Sequence, residues 1–444
     1  MKNILIVGAG LSSSSLIKYL LDNSTEYNWK IKLGDKSKEI AERKIDNHPN
    51  GEAFVFDVYN EEQREKEIQL ADVVISMLPA RMHFLVAEKC VKYSKHMITA
   101  SYVSKEVKEL DKQAKEKGIL LLNEIGVDPG IDHMSAMKVI DKIRDKKGNL
   151  TSFKSSTGGL VAPEYDNNPW NYKFTWNPRN VVLAGQSVAM YKDHGKYKYL
   201  PYTKLFSRIE KVNILDVGEF EMYPNRDSLC YIDTYGLGSI PTILRGTLRR
   251  PGYSEAWDVF VQLGATDDSY KLYKSEDLTY KEFINLFLPY HTTKSVKEKL
   301  AQYLNIDISS EIIEKLEWLG IFEDTKSGVK DASPAQILQK ILVEKCALGD
   351  DDKDMIAMQH QFEYSVDNKS KKITSSLVVR GTDKVHTAMS ITVGTPVAIA
   401  TKLLLTGVIT ATGVVVPTKK DIYEPVLKEL EEYGIKFVEE ETEL

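Results

Sequence analysis

The stretch Lys2-Asn3-Ile4-Leu5-Ile6-Val7-Gly8-Ala9-Gly10-Leu11-Ser12-Ser13 decides the fold. An apolar run enters a G-x-G-x-x-S loop and a helical pattern follows, which is the fingerprint of a dinucleotide-binding βαβ unit. Gly8 permits the tight turn and Gly10 lets the backbone approach a pyrophosphate, while Ser13 is small enough to stand in for the third glycine. Free N–H groups where the next helix begins, around Leu11 and Ser12, would supply anion affinity. Glycines in an ordinary turn give the same match, so the surroundings matter. A second strand over 29–33 ends at Gly34-Asp35, and Asp35 lies about 25 residues past Gly10, near where an acid receives the adenosine ribose 2′-hydroxyl. The other reading of Asp35 is a turn residue or N-cap ahead of a helix over 36–44.

At 444 residues the chain is long enough for two or three domains. A net charge of −5 and a pI near 6.0 argue against a nucleic-acid or anionic-membrane partner. Cys90, Cys230 and Cys346 form no C-x-x-C pair. That pattern suits a reducing compartment, and without a visible leader the expected location is cytoplasmic. The weakly charged stretch 393–416 holds Lys402 near its centre, so it reads as a buried helix over 396–405 followed by a turn and a strand, rather than a span.

Strand and helix alternate through the first 130 residues. Strands over 54–56, 71–77, 96–100 and 119–122 are separated by helices over 61–69, 84–93 and 105–117, which implies an α/β fold with an N-terminal Rossmann-like doubly wound parallel sheet. Ligands bind such sheets at the carboxyl ends of the strands. Asp57, Val58, Met77, Leu78, Pro79 and Ala100 lie there and join Gly8, Gly10, Leu11, Ser12 and Asp35 as candidate cofactor contacts. Beyond Asp128-Pro129-Gly130, strands over 153–160, 212–215, 256–263 and 373–380 suggest a second α/β domain with an open mixed sheet. Residues 279–361 read as an inserted all-helical domain. The expected domains are 1–130, then 131–278 with 362–419, with the insert at 279–361 and the tail 420–444 packing back on the first. The acidic run at 349–354 reads as a solvated helix start, since it lacks the Gly and Glu of an EF-hand.

No H-E-x-x-H, paired Cys/His spacing or G-x-S-x-G elbow occurs. Asp128, Asp132 and His133 surround a Pro-Gly turn. Helix capping with a packed histidine accounts for them as well as a metal does, and no metal is expected. A dehydrogenase needs a proton acceptor beside the hydride path, and Asp128 and Tyr102 both stand at the nicotinamide edge. Arg245 sits in the apolar run Leu244-Arg245-Gly246-Thr247-Leu248 and is the best guanidinium fork for a carboxylate substrate. Trp170, Tyr172, Phe174 and Trp176 suit loop core better than ligand contact.

These residues sit in longer motifs. Val74-Ile75-Ser76-Met77-Leu78-Pro79, Thr99-Ala100-Ser101-Tyr102-Val103 and the run from Asn123 to His133 resemble glutamate-forming saccharopine dehydrogenases. So do Tyr172-Lys173-Phe174-Thr175-Trp176, Tyr223-Pro224-Asn225-Arg226-Asp227-Ser228, the Arg245 run and Glu317-Trp318-Leu319-Gly320. The resemblance implies oxidation of saccharopine to an imine that water splits into glutamate and 2-aminoadipate 6-semialdehyde. It implies Tyr102 and Asp128 as proton-handling groups, and a substrate site lined by Ser101, Trp176, Arg245 and Thr247. The family's usual Cys before Gly-Gly-Leu is Thr157 here. A thiol role does not carry over, though Thr157 can still hydrogen-bond.

A carboxynorspermidine synthase-like enzyme, which would need fewer carboxylate partners, and a non-catalytic nucleotide sensor are the rival readings. A homodimer is possible. The carboxylate of Asp35 would repel a 2′-phosphate, with Lys36 and Lys38 the nearby cations, so NAD is expected in preference to NADP.

Overall fold

Strand β1 (Lys2–Val7) turns at Gly8 toward helix α1 (Ser14–Asp22), as its apolar run and glycine loop require. The alternation continues through β2 (Trp29–Asp35), α2 (Lys38–Ile45), β3 (Gly51–Val55), α3 (Glu61–Leu70), β4 (Val73–Ser76), α4 (His83–Lys92) and β5 (His96–Ile98). Short helices α5 (Lys105–Lys108) and α6 (Asp111–Glu116) precede β6 (Leu120–Leu122), and α7 (Ile131–Asp145) follows it. Side chains start several helices. Ser37, Asn60 and Ser104 each accept a backbone N–H in the first turn that would otherwise lack a partner.

The computed structural model describes residues 1–183 and 186–444, and the chain forms two compact units, residues 1–149 with 377–438 and residues 150–376 with 439–444. In the first unit the strands lie in the order β3, β2, β1, β4, β5, β6, with Gly413–Val415 beside β6, and every pairing is parallel. This is the doubly wound order, with β1 and β4 flanking the switch point where such sheets bind dinucleotides. Ile4 to Val7 and Val73 to Ser76 are buried residue by residue, as expected of strands covered on both faces.

Several boundaries differ from the sequence expectation. Helix α7 belongs to the first unit, so the division falls near residue 150 rather than 130. The helix expected over 396–405 runs over Ala388–Leu405, because Thr387 caps it and Pro396 is accommodated in its interior. By length and composition it could cross a membrane, yet 67% of it is buried inside the protein. It lies close against α1. A Cβ at Gly394 would come within 2.8 Å of the Leu16 nitrogen, and the Ser15 N–H donates to Ser390 Oγ at 3.0 Å.

The second unit is built on a mixed sheet. Thr242–Arg249 runs parallel to Asn149–Val161 and antiparallel to Glu219–Pro224. A hairpin of Ala189–Asp193 and Lys196–Leu200 attaches to the same strand. The strand expected over 256–263 is instead helix Tyr253–Leu263. Its aromatic and β-branched residues favour a strand, but the polar Glu255, Asp258 and Gln262 recur at helical spacing along one face. Its start is fixed from another strand, since Glu221 accepts the Gly252 N–H at 2.6 Å and the Ser254 N–H at 3.1 Å. The helices between Tyr280 and Cys346 bury Phe283, Leu300, Leu316 and Leu338 into the same core as Trp170, Tyr253, Trp257 and Phe260, so they extend that core. The run at 349–354 is a loop rather than a helix start. Asp352 accepts the Gly349 N–H and pairs with the buried Lys173 at 2.6 Å, and a strand begins at Asp354.

Because Glu221 is buried and satisfies two N–H donors that have no other partner in the helix, Glu221→Ala should destabilise the protein by about 2–3 kcal/mol. Thermal unfolding checks this. A midpoint within about 1 °C of wild type would show that the cap contributes nothing.

Candidate active site

The nucleotide end of the first unit is built from strand termini. Gly8 has φ +102, and a Cβ there would lie 2.7 Å from the Met77 carbonyl oxygen, so only glycine allows this crossing of the β1 and β4 ends. By contrast, a Cβ at Gly10 would meet nothing within 4 Å, and Leu11 is exposed. The loop therefore offers an open backbone face of the kind a pyrophosphate needs, which fits a dinucleotide. Asp35 is engaged inside this frame. One carboxylate oxygen accepts the Ala9 N–H at 2.7 Å and the other the Ser37 N–H at 3.0 Å. The Lys44 ammonium donates to the Gly10 carbonyl at 2.5 Å and to the Ser13 and Ser14 hydroxyls at 3.0 and 2.9 Å. Burial pushes Lys44 down to about 8, against the opposing pull of Asp35.

The other candidate cofactor residues lie around the same edge. Met77, Leu78 and Ala100 are half-buried and Pro79 is exposed. Asp57 accepts the Tyr59 N–H at 3.1 Å and so shapes its own turn. Val58 is turned into the core beneath the sheet, which leaves only its backbone for a ligand.

The β5 end and the turn after β6 bring the two proton-handling candidates together. Tyr102 Oη donates to Asp128 Oδ1 at 3.2 Å. The turn that carries Asp128 is tight because Gly126 and Gly130 almost touch, and a Cβ at Gly130 would lie 2.1 Å from the Gly126 oxygen. Asp132, placed among possible metal ligands or caps on sequence grounds, accepts the Gly130 N–H at 2.6 Å. His133 Nε2 meets Glu124 Oε2 at 2.9 Å, and Glu124 Oε1 accepts the Val103 N–H at 3.0 Å. Among the described residues no group of three His, Cys, Asp or Glu side chains is arranged to hold a metal ion.

Ser101 joins a chain that sequence reading missed. His83, at the start of α4, approaches Ser76 Oγ with Nδ1 at 2.8 Å and Ser101 Oγ with Nε2 at 2.7 Å. Burial holds the imidazole down to about 4. Lys44 and His83 carry no motif of their own, and Glu124 entered the sequence reading only as part of the run from Asn123 to His133. The only sequence signal for His83 was its place in the turn after Leu78-Pro79.

In the second unit, the parallel register sets Arg245 opposite Ser155 and Thr247 opposite Thr157. The Arg245 guanidinium lies 4.3 Å from the centre of the Tyr231 ring, and the Arg245 backbone N–H donates to Ser228 Oγ at 2.8 Å. Thr157 Oγ1 is buried with no hydrogen-bond partner among the described residues. Trp176 is half-buried against the apolar core.

Residues 126–435 match the saccharopine dehydrogenase C-terminal domain, and residues 4–122 match the saccharopine dehydrogenase NADP binding domain. The chain is 33% identical to saccharopine dehydrogenase [NADP(+), L-glutamate-forming] of Schizosaccharomyces pombe, over 99% of both chains. It is 35% identical to the mitochondrial alpha-aminoadipic semialdehyde synthase of Rattus norvegicus, over 99% of its own length and 48% of that protein, so it spans about half of such mammalian relatives. The apo structure of saccharopine dehydrogenase (L-Glu forming) from Saccharomyces cerevisiae superposes with a TM-score of 0.90 at 32% identity, covering all of both chains. A homospermidine synthase structure from Legionella pneumophila shares the fold at TM-score 0.56 and 10% identity, covering 99% of this chain and 91% of its own.

These matches overturn the expected preference for NAD. The domain matched by residues 4–122 is an NADP-binding one, and the fungal relatives are named for NADP(+). The physical reason lies at Asp35. Both of its oxygens accept backbone N–H groups of the loop and the following turn, so the acid holds the frame, and its presence does not by itself report on the nucleotide.

His83 also sets a pH dependence. Its proton affinity falls from the usual value near 6.5 to about 4 on folding. The unfolded chain therefore binds more protons between those values, and stability must fall as pH drops from about 6.5 to 4, by up to about 3 kcal/mol from this group. Denaturant unfolding of wild type and His83→Gln at pH 7 and pH 4.5 checks this. An equal pH slope in both proteins would show that the imidazole is not held neutral.

Proposed function

Because the chain belongs to the saccharopine dehydrogenase family, we propose that it oxidises saccharopine to L-glutamate and 2-aminoadipate 6-semialdehyde, with NADP as the nucleotide. The observation that carries this reading is the Tyr102–Asp128 hydrogen bond at the carboxyl edge of the nucleotide-binding sheet. The bound nucleotide supplies a hydride acceptor. Carbon gives up hydride only when the neighbouring secondary amine has a free lone pair, so the amine proton must go to a base, and Asp128 with Tyr102 is the pair placed to take it. The same pair can then hand protons back as water adds to the imine carbon and the carbon–nitrogen bond breaks, leaving the amine on glutamate and the aldehyde on the other product. Thr157 contributes a hydroxyl but no ionisable group to this exchange. Arg245, with its guanidinium held on the Tyr231 ring, suits a substrate carboxylate, and this feature favours saccharopine over the polyamine-type substrates of the rival enzyme reading.

The direct test follows absorbance at 340 nm with saccharopine and either NADP or NAD. Turnover should appear with a higher kcat/KM for NADP, and absence of turnover with both would reject the activity. Asp128→Asn should lower kcat by about a hundredfold and flatten one limb of the pH–rate profile. If it lowers only thermal stability, Asp128 is a structural residue of its turn. Arg245→Ala should raise the saccharopine KM by about ten- to a hundredfold and leave the nucleotide KM unchanged. An unaltered saccharopine KM in a folded variant would remove Arg245 from the site.

A further inference from the structure

The buried chain Ser76–His83–Ser101 belongs to neither the proton pair nor the glycine loop, and its hydrogen bonds run in one direction. Ser76 is fully buried, His83 is 4% exposed and Ser101 is half-buried. With a neutral imidazole between two hydroxyls, two arrangements exist. In the first, the Ser76 O–H donates to Nδ1 and Nε2–H donates to Ser101 Oγ. In the second, Nδ1–H donates to Ser76 Oγ and the Ser101 O–H donates to Nε2. The imidazole is the Ser76 hydroxyl's sole hydrogen-bond partner among the described residues. The second arrangement would therefore leave a fully buried O–H with no acceptor, which is costly. The first satisfies every group. It also makes Ser101 Oγ an acceptor of Nε2–H, so that its own proton is free to point out of the protein. The backbone holds the serine in place, since its N–H donates to Thr99 Oγ1 at 3.3 Å and its carbonyl accepts the Glu124 N–H at 3.0 Å.

We propose that His83 is a positioning residue that fixes the Ser101 hydroxyl as an outward hydrogen-bond donor to a carboxylate of the substrate. This rests on the saccharopine reading above for the substrate's identity, though not for the direction of the chain. Saccharopine carries three carboxylates and so presents acceptors, and a serine proton committed to the imidazole would be of no use to them. Burial of the imidazole serves the same end. A protonated ring would donate from both nitrogens and force Ser76 to turn its own proton away into the core.

Two variants separate the ends of the chain. The amide of His83→Asn can replace Nδ1 toward Ser76 but not reach Ser101, whereas the amide of His83→Gln can stand in for Nε2. We expect His83→Asn to raise the saccharopine KM by about tenfold, the loss of one hydrogen bond to a charged group. The nucleotide KM should stay within about twofold, and His83→Gln should recover most of the loss. An unchanged saccharopine KM in His83→Asn, equal losses in the two variants, or a parallel rise in the nucleotide KM would overturn the proposal. A measurement independent of activity is the ¹⁵N spectrum of the histidine-labelled protein, with the His83 signal identified by its absence in His83→Gln. Proton on Nε2 and bare Nδ1 is expected, and proton on Nδ1 would refute the arrangement. Ser76→Ala, which cuts only the far end, should mix the tautomers and raise the saccharopine KM a few-fold. An unmixed spectrum there would also refute it. If wild type fails to turn over saccharopine, the functional reading falls while the spectrum still decides the direction of the chain.

Discussion

The Glu124 carboxylate holds the reactive edge together. One oxygen accepts the Val103 N–H and the other meets the buried His133 ring, while the Glu124 backbone N–H reaches back to the Ser101 carbonyl. Three elements converge on this residue, namely the segment after β5, the end of β6 and the first turn of α7. Tyr102 lies between two of its attachment points, and the turn bearing Asp128 lies between Glu124 and His133. The Tyr102–Asp128 distance is thus set by a buried, hydrogen-bonded carboxylate and not by the flexibility of either partner. The backbone of Glu124 takes a positive φ of 58° to do this, a conformation uncommon for a residue other than glycine.

The nucleotide loop follows the same design. Carboxylates that read from sequence as ligand contacts are employed on the protein's own backbone. Asp35 bridges Ala9 and Ser37, and Asp57 closes the turn to Tyr59. Lys44 ties the Gly10 carbonyl to the serines that begin α1. A rigid loop offers its N–H groups without reorganisation, which is the property a phosphate site needs.

The sequence made the doubly wound sheet legible because each strand is short, apolar and ended by a special residue, and because the glycine loop marks where it begins. Gly8, Asp35, Tyr102 and Asp128 could be placed at one sheet edge on that basis. The helix at Tyr253–Leu263 was not legible as a helix. Its run of Trp257, Val259, Phe260 and Val261 is aromatic and β-branched, which reads as strand and outweighed the helical spacing of the polar Glu255, Asp258 and Gln262, and its cap is Glu221, some thirty residues earlier on a strand. His83 was hidden for a related reason. Its partners come from the end of β4 and the segment after β5, and local spacing says nothing of a meeting between separate strand ends. The reading of Asp35 as a discriminator between nucleotides failed because a carboxylate's partner, not its position, decides what it does.

The close fit of Ala388–Leu405 against α1 has a consequence for how the chain is made. The glycine loop leads into α1, and α1 finds its covering helix only near the far end of the polypeptide. During synthesis from the N-terminus, the first six strands emerge well before the segment that shields the start of α1, and all of residues 150–376 intervene. Until then an apolar helix face must wait uncovered, a state open to off-pathway association. A recombinant fragment ending near residue 150 would carry the whole nucleotide motif and keep that exposed face permanently. The nucleotide-binding module of this protein is continuous as a motif but discontinuous as a folding unit.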